Sequence, residues 1–169
     1  MRKLIIANWK LNPVTAEEAL KLARKIDKEP RHEAVVCPPP AFLALPLYPR
    51  LGSQDCFWVP VGAFTGQISP ATLHALKVKY CIVGHSEKRA LGETDADIRE
   101  KIAALLDFGI RPVLCIGFGT TVEEDDLEVV DILKAQVKSA LQGLSPESVA
   151  KIVVAYEPVW AISKGDSYK

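Results

Sequence analysis

Short apolar runs alternate with helix-forming segments about six times along this chain of 169 residues. The apolar runs are rich in β-branched residues, which is typical of strands in a sheet that is covered on both faces. We predict strands over 4–9, 34–37, 51–57, 80–84, 112–116 and 152–156, and helices over 15–28, 41–48, 94–109 and 127–141 and from 69 and 145. Because strands that alternate with helices pair in parallel, the chain is predicted to have an α/β fold.

Polar side chains at the strand exits help to choose between two architectures. A doubly wound open sheet gathers its functional groups at one switch point, whereas a (β/α)8 barrel collects them from many strands over one mouth. Here Asn8 and Lys10 lie at the end of the first predicted strand, His85 follows the fourth and Glu157 follows the sixth. The absence of GxGxxG and GxxxxGK[ST] segments argues against dinucleotide and P-loop sites. We therefore expect a single domain over residues 1–169, an incomplete (β/α)8 barrel of about six βα units.

Lys10, His85 and Glu157 are the candidate catalytic residues at such a mouth. A carboxylate, an imidazole donor and an ammonium in one cavity are what removal of a proton beside a carbonyl group requires. Glu157 would take the proton, while Lys10 and His85 would stabilise the developing oxyanion. Taken singly, each residue also fits a plainer role as a capping carboxylate, a structural histidine or a solvated lysine. Their equivalent positions after separate strands favour the catalytic interpretation.

Composition and charge exclude several classes of partner. With 21 basic and 21 acidic residues, the chain has no net field to attract nucleic acid or an anionic membrane. No apolar run approaches the roughly 18 residues needed to span a bilayer, and the N-terminal apolar run is too short for a signal peptide. We therefore expect a cytoplasmic protein. Four isolated cysteines without metal-ligand spacing are interpreted as buried thiols, so no metal site is predicted.

Three segments resemble the signature segments of the triosephosphate isomerase family. They are Asn8-Trp9-Lys10, Gly84-His85-Ser86-Glu87-Lys88-Arg89 and Ala155-Tyr156-Glu157-Pro158-Val159-Trp160-Ala161-Ile162. Residues 62–66 also resemble the third, dimer-forming loop of that family. The resemblance implies a TIM barrel that interconverts glyceraldehyde 3-phosphate and dihydroxyacetone phosphate through an enediolate, in glycolysis and gluconeogenesis. It implies no cofactor.

The resemblance also implies roles for individual residues, and these roles rest on the family's division of labour between a glutamate, a histidine and a closing loop. Glu157 would be the base that moves the proton, and His85 would be the electrophile. The substrate-binding residues would be Asn8, Lys10 and Ser163, with the backbone of Ser163 near the phosphate.

Further residues would support the site or cover it. Ser86 and Glu87 would support His85, and the closing lid would consist of Pro158, Val159, Trp160, Ala161 and Ile162. The lid departs from the family where residues 163–166 read Ser-Lys-Gly-Asp in place of Gly-Thr-Gly-Lys.

The length of the chain adds a further expectation. A (β/α)8 barrel takes about 250 residues, so we interpret the chain as C-terminally truncated and without the last two βα units. The first and sixth strands would then be open edges, which predicts a homo-oligomer, a dimer or higher, or a complementing chain. An impaired or inactive barrel fragment that serves as an assembly module is the alternative function.

Overall fold

The computed structural model describes residues 3–27, 32–47, 50–121, 123 and 125–161. Strands and helices alternate along these ranges: β1 (Leu4–Asn8), α1 (Ala16–Asp27), β2 (Glu33–Cys37), β3 (Gly52–Ser53), α2 (Pro70–Ala75), β4 (Tyr80–Val83), α3 (Ser86–Ala90), α4 (Asp95–Asp107), β5 (Arg111–Ile116), α5 (Asp126–Leu141), α6 (Pro146–Val149) and β6 (Val153–Tyr156). Short 3₁₀ turns occupy Pro40–Phe42 and Val159–Ala161. The alternation confirms the predicted α/β class.

The described strands pair in parallel and in chain order. β1 pairs with β2, β3 to β6 form a second ladder, and an isolated bridge between Val36 and Leu51 joins the two. Helix α1 packs against β2, α4 against β4 and β5, and α5 against β5. This arrangement is an incomplete α/β barrel, as predicted.

Several helices begin where capping side chains are placed in the sequence. Thr15 and Glu18 each accept a hydrogen bond from the other's backbone N–H, at 3.3 and 3.4 Å, before α1. Ser69 caps α2, and Thr94 and Asp97 form a capping box at the start of α4. These side chains satisfy amide groups that the first turn of a helix leaves unpaired. The predicted starts of these three helices are confirmed.

Each face of the sheet carries its own apolar cluster. The outer cluster includes the strand residues Cys81, Val83, Leu114 and Ile116 and the α4 residues Ile98, Ile102 and Leu105. The inner cluster is formed by Val35, Cys37, Tyr80, Ile82, Val113 and Cys115. Because both faces are covered, the central strands read as continuous apolar runs in the sequence. The four cysteines are buried and free, as predicted.

The two edge strands are open, as predicted for an incomplete barrel, but they are less covered than their apolar runs predict. Val154 and Tyr156 on β6 are 52% and 50% exposed, and Ile5 on β1 is 46% exposed. The prediction that β6 is covered on both faces is therefore wrong. The reason is position, because β1 and β6 are the outermost strands of the described sheet and each pairs on one side only.

Two other predicted elements are shorter in the structure. The prediction of a helix over 41–48 is wrong, because only a 3₁₀ turn that ends at Phe42 forms there. Tyr48 lies outside the described residues. The strand predicted over 51–57 is reduced to Gly52–Ser53. After it, the side-chain amide of Gln54 donates to two backbone carbonyls and the chain leaves the ladder.

Short helix α3 was not predicted, because His85 and the residues after it read as a loop at a strand exit. None of the helices in the described ranges combines the length and the apolar composition needed to cross a bilayer.

Candidate active site

The candidate residues gather at the carboxyl-terminal ends of the strands. Asn8 is the last residue of β1, His85 follows β4 and Glu157 follows β6. A cavity of about 390 Å³ beside them is lined by Asn8, Lys10 and His85, among others. Glu157 does not line this cavity, but its Oε1 atom lies 3.4 Å from Nε2 of His85, which does. The parallel sheet therefore brings residues that are far apart in sequence to one end of the fold.

Lys10 is held in a turn that few residues adopt. Its φ is 53°, in the left-handed region that is uncommon for a residue other than glycine. The turn is fixed on both sides, because the Lys10 N–H donates to Asn8 Oδ1 at 3.0 Å and the Lys10 carbonyl accepts from Gln54 Nε2 at 2.8 Å. The ammonium lies 2.7 Å from Glu87 Oε1. Backbone strain of this kind persists where the surrounding structure enforces it, often at functional sites.

His85 is oriented by the helix that follows it. As the N-cap of α3, it accepts a hydrogen bond on Nδ1 from the Glu87 backbone N–H at 3.2 Å. A backbone N–H can only donate, so Nδ1 carries no proton in this arrangement and Nε2 carries it instead. Nε2 lies 3.4 Å from Glu157 Oε1. The imidazole therefore presents the Nε2 hydrogen-bond donor towards the Glu157 carboxylate.

Glu157 is placed by its contacts with the neighbouring strand. Its backbone N–H donates to the Ile116 carbonyl at 2.8 Å, which extends the β5–β6 pairing by one residue. Gly117 permits this approach, because it has a φ of 111° and a Cβ there would lie 2.7 Å from the Glu157 carbonyl oxygen.

Donor groups from the centre of the sheet hold the Glu157 carboxylate. The Ser86 N–H lies 3.5 Å from Oε2, and the Cys115 thiol donates to Oε1 at 3.2 Å. Burial, together with the charge of Glu157, raises the pKa of Cys115 well above its usual range, so the thiol keeps its proton and remains a donor. The carboxylate is thus positioned, but its side chain is still 23% exposed to solvent.

A buried ion cluster supports the exit of β4. The Lys101 ammonium contacts Glu93 and lies 2.6 Å from Asp55 Oδ1, and Glu93 Oε2 accepts from the Gly84 N–H at 3.0 Å. Burial lowers the pKa of Lys101, but the two carboxylates outweigh it, and the pKa lies above its usual value. The cluster therefore ties α4 to the residue immediately before His85.

The predicted lid lies partly within the described residues. Pro158 follows Glu157, and Val159–Ala161 form a 3₁₀ turn in which Trp160 is exposed. Ile162 and Ser163 lie outside the described residues. Among the described residues, no group of three or more histidine, cysteine or acidic side chains is arranged to hold a metal ion.

Four supporting residues were missed from the sequence: Gln54, Asp55, Lys101 and Cys115. Three of them carried a usable signal. Gln54 and Asp55 are polar residues inside a predicted apolar strand, and Lys101 shares the buried face of α4 with Ile98 and Ile102. No pattern in the sequence indicates that the Cys115 thiol meets Glu157.

Comparison with known proteins agrees with the predicted resemblance. A model of the triosephosphate isomerase family matches residues 3–169. The triosephosphate isomerase of Thermoanaerobacter pseudethanolicus is 39% identical over 98% of this chain and 70% of its own length. The triosephosphate isomerases of Roseiflexus sp. and Clostridium novyi are 42% and 40% identical, over 97% and 98% of this chain and 68% and 70% of their own lengths. With a family model that matches nearly all of it and relatives at this level of identity, the chain belongs to the triosephosphate isomerase family.

Proposed function

We propose that this chain interconverts glyceraldehyde 3-phosphate and dihydroxyacetone phosphate, as a step of glycolysis and gluconeogenesis. The observation that carries the proposal is the approach of the His85 Nε2 atom to the Glu157 carboxylate, with the Lys10 ammonium at the same end of the sheet. Isomerisation of a triose phosphate moves a proton between adjacent carbons while a carbonyl oxygen becomes an enediolate. A base and two oxyanion donors are the groups that this reaction uses.

Glu157 is the proposed base. Its carboxylate removes a proton from the carbon beside the substrate carbonyl and returns it to the neighbouring carbon, so the same group acts first as base and then as acid. The Ser86 N–H and the Cys115 thiol hold the carboxylate before substrate arrives. The Ser86 contact is long, at 3.5 Å, and the thiol is a weak donor, so the carboxylate can leave both for the substrate carbon.

His85 and Lys10 are the proposed electrophiles. With Nδ1 occupied by a backbone donor, His85 donates its Nε2 proton to the former carbonyl oxygen and takes back the proton of the adjacent hydroxyl. The hydroxyl proton thus moves between the two oxygens while Glu157 moves the other proton between the two carbons. Lys10 adds a fixed positive charge, and Asn8 holds the turn from which it projects. Donors that are already in place when negative charge develops stabilise the transition state more than the ground state.

The phosphate and the lid complete the proposed site. We assign phosphate binding to the backbone of Ser163 and closure to residues 158–162, on the family resemblance alone. Closure would exclude water from the enediolate, which otherwise loses its phosphate or exchanges protons with solvent. The substrate is therefore a small phosphorylated triose.

We further infer that the working form contains a second polypeptide surface, from another copy of the chain or from a complementing chain. Ile5, Val154 and Tyr156 support this inference, because they expose apolar area on the two edge strands. In addition, Val61 and Phe64 expose apolar area beside and within the loop that resembles the dimer-forming loop of the family. Exposed edges and apolar patches of this kind are typical of association surfaces.

The proposal is tested by the isomerisation of glyceraldehyde 3-phosphate with purified wild-type protein and a Glu157→Gln variant. We expect kcat to fall by about 10²–10⁴-fold in the variant, because a positioned base contributes that much and an amide cannot accept the proton. A matched Glu147→Gln variant makes the same chemical change at an exposed carboxylate on α6 and should keep full activity.

Two outcomes would contradict the proposals. If folded wild-type protein has no more activity than Glu157→Gln, the chain is not an isomerase, and the alternative of an inactive barrel fragment follows. The same samples are examined by light scattering. A monodisperse monomer at micromolar concentration would contradict the inferred association without bearing on the chemistry.

A further inference from the structure

A second and larger cavity lies at the opposite end of the sheet from the candidate active site. It measures about 690 Å³, within the range of small-molecule sites. Its walls include residues at the amino-terminal ends of the strands: Lys79 immediately precedes β4, Tyr80 begins β4 and Arg111 begins β5. No residue of the proposed catalytic machinery lines it.

The polar wall of this cavity is basic. Arg50, Lys77, Lys79 and Arg111 line it, and none of the described lining residues carries a carboxylate. Because the whole chain has no net charge, this concentration of four cations is a local feature of the fold. Arg50 is paired with Glu33 at 2.6 Å, whereas Lys77 and Lys79 make no ion pair with any described residue. The cavity therefore offers a positive field with unneutralised ammonium groups at its rim.

The two arginines are held in place by hydrogen bonds. Arg111 donates to the Lys151 carbonyl and to the Tyr80 hydroxyl, both at 3.1 Å, and its guanidinium lies 5.3 Å from the centre of the Tyr80 ring. Tyr80 in turn donates to Glu33, which also accepts from Arg50 at 2.6 Å. These contacts leave other N–H groups of each guanidinium unassigned. Such pre-organised donors lower the entropic cost of binding an anion.

The backbone that carries Lys77 and Lys79 is also held in place by hydrogen bonds in a turn. Lys77 has a φ of 60°, and its N–H donates to the His74 carbonyl at 2.9 Å. The next amide, of Val78, donates to the Leu73 carbonyl at 3.0 Å. This helix-ending turn directs the chain from α2 into β4, and both Lys77 and Lys79 line the cavity.

The remaining wall is apolar. Leu43, Leu45, Leu47, Leu51 and Leu76 contribute to it, with Pro46. A cavity with a cationic side and a leucine-lined side matches a ligand with an anionic head and an apolar body. A bare inorganic ion would leave the leucine wall unused.

We propose that this cavity binds a small organic phosphate whose apolar body packs against the leucine wall while its phosphate contacts Lys77, Lys79 and Arg111. Phosphate suits the site because a planar guanidinium and two ammonium groups can each contact a different oxygen of a dianion. The site is distinct from the proposed catalytic centre, and the inference does not depend on the proposed isomerase activity.

The test is a titration of ¹⁵N-labelled protein with phenyl phosphate, in which amide chemical shifts report binding. We expect concentration-dependent shifts at residues 77–80 and 109–111, which are read separately from any shifts at Asn8 and His85 in the candidate active site. A Lys77→Gln/Lys79→Gln variant should weaken binding at the cavity by roughly tenfold, since it removes two exposed charge contacts. The control variant Lys21→Gln/Lys25→Gln removes two exposed lysines from α1 and should bind as wild type does.

Three results would overturn the proposal. The first is an absence of shifts at residues 77–80 and 109–111 up to about 10 mM phenyl phosphate, since weaker binding is not specific. The second is equal binding by the Lys77→Gln/Lys79→Gln variant. The third is an equal response to phenol, which has the apolar body without the charge. Shifts confined to the candidate active site would also overturn the proposal, because residues 77–80 and 109–111 would then not respond. They would identify the candidate active site as the sole phosphate site among the residues followed.

Discussion

The centre of the sheet and its edges differ sharply in how they are supported. Leu114 on β5 and Val154 on β6 are neighbours in register and lie on the same face, yet Leu114 is fully buried and Val154 is 52% exposed. The centre is covered by α4 and braced by the cluster around Lys101. The edge strands have a neighbour on one side only among the described residues.

The candidate site draws its residues from both the centre and the edges of the sheet. His85 follows a central strand, whereas Lys10 and Glu157 follow the two edge strands. The centre nevertheless positions both, because Glu87 pairs with Lys10 and Cys115 donates to Glu157. The exposed edge strands thus carry Lys10 and Glu157, and residues at the centre of the sheet set the orientation of both side chains. Stability and site geometry should therefore respond differently to changes at the centre and at the edges.

The largest effect is expected from Lys101→Met at the centre. Removing this ammonium leaves Glu93 buried without its counter-ion and takes one of two cationic partners from Asp55, so the free energy of unfolding should fall by about 3–5 kcal/mol. Urea denaturation followed by circular dichroism measures it. The matched Lys88→Met variant also removes a partner of Asp55, at 2.9 Å, but from a side chain that is 43% exposed. That control should lose less than about 1 kcal/mol.

The pH dependence of Lys101 sharpens this test. Its pKa is raised in the folded protein, so its stabilising contribution is complete below the ordinary lysine value of about 10.4 and is lost as pH rises through the folded value. The difference between wild type and Lys101→Met should therefore be constant from about pH 7 to 9 and shrink above about pH 10.4. A difference that shrinks already near pH 8 would contradict the raised pKa.

The next effect is expected at the matched pair across β5 and β6. Leu114→Ala should reduce the free energy of unfolding by about 2–5 kcal/mol, because it opens a cavity in a packed cluster. Val154→Ala removes methyl groups that already contact water and should cost less than about 1 kcal/mol. The measurement is again urea denaturation. Equal losses for the two variants would mean that the outer face of β6 is covered in solution, and the contrast between centre and edge would fail.

The smallest effect is expected from the helix caps. Thr94→Ala removes the capping box of α4 and should cost about 1 kcal/mol at neutral pH. The hydrogen bonds from Thr94 lower the pKa of Asp97, so the part of this cost that comes from the Asp97 carboxylate is complete above the ordinary aspartate value of about 3.9 and is lost as pH falls through the lower folded value. The hydrogen bond from the Asp97 N–H to Thr94 Oγ1 does not depend on pH. Thermal unfolding at several pH values measures it, and an unchanged cost below about pH 3 would argue against the capping box as its origin.

A cap near the edge provides the comparison. Ser145 caps α6 through a hydrogen bond from the Ser148 N–H at 3.2 Å, just before β6. Ser145→Ala should cost a few tenths of a kcal/mol, since a short, exposed helix can fray with little loss of packing. If Ser145→Ala costs as much as Thr94→Ala, the edge is as cooperative as the centre.

The sequence predicted most of the elements because local signals and tertiary burial agree in them. The capping residue Thr94 and the apolar face of α4 both define the same helix, and the runs at β4 and β5 are covered on both faces. Prediction failed where local signals were weak. We predicted a helix over the proline-interrupted segment 41–48, where the structure has only a short 3₁₀ turn. Helix α3 was missed because its residues are mostly polar.

The chemistry was predictable in part. Asn8, Lys10, His85 and Glu157 were identified because each lies at the end of a strand or just after one, and parallel strands end at one side of a sheet. Their roles stay predictions, as do the role of Ser163 in phosphate binding and the single-domain boundary at residues 1–169. The supporting contacts of Cys115 and Gln54 could not be found, because each joins segments that are distant in sequence.

By itself, the sequence determined the order of strands and helices, the family and the residues that carry the proposed chemistry, since these depend on local periodicity and on short motifs. Only the tertiary structure decided that Glu157 rests on the Cys115 thiol, that Lys101 is a buried counter-ion and that a basic cavity lies opposite the candidate site. The physical reason is the same for all three. Burial, charge pairing and cavity shape arise from groups brought together across the sheet, and the spacing of residues along the chain does not encode those distances.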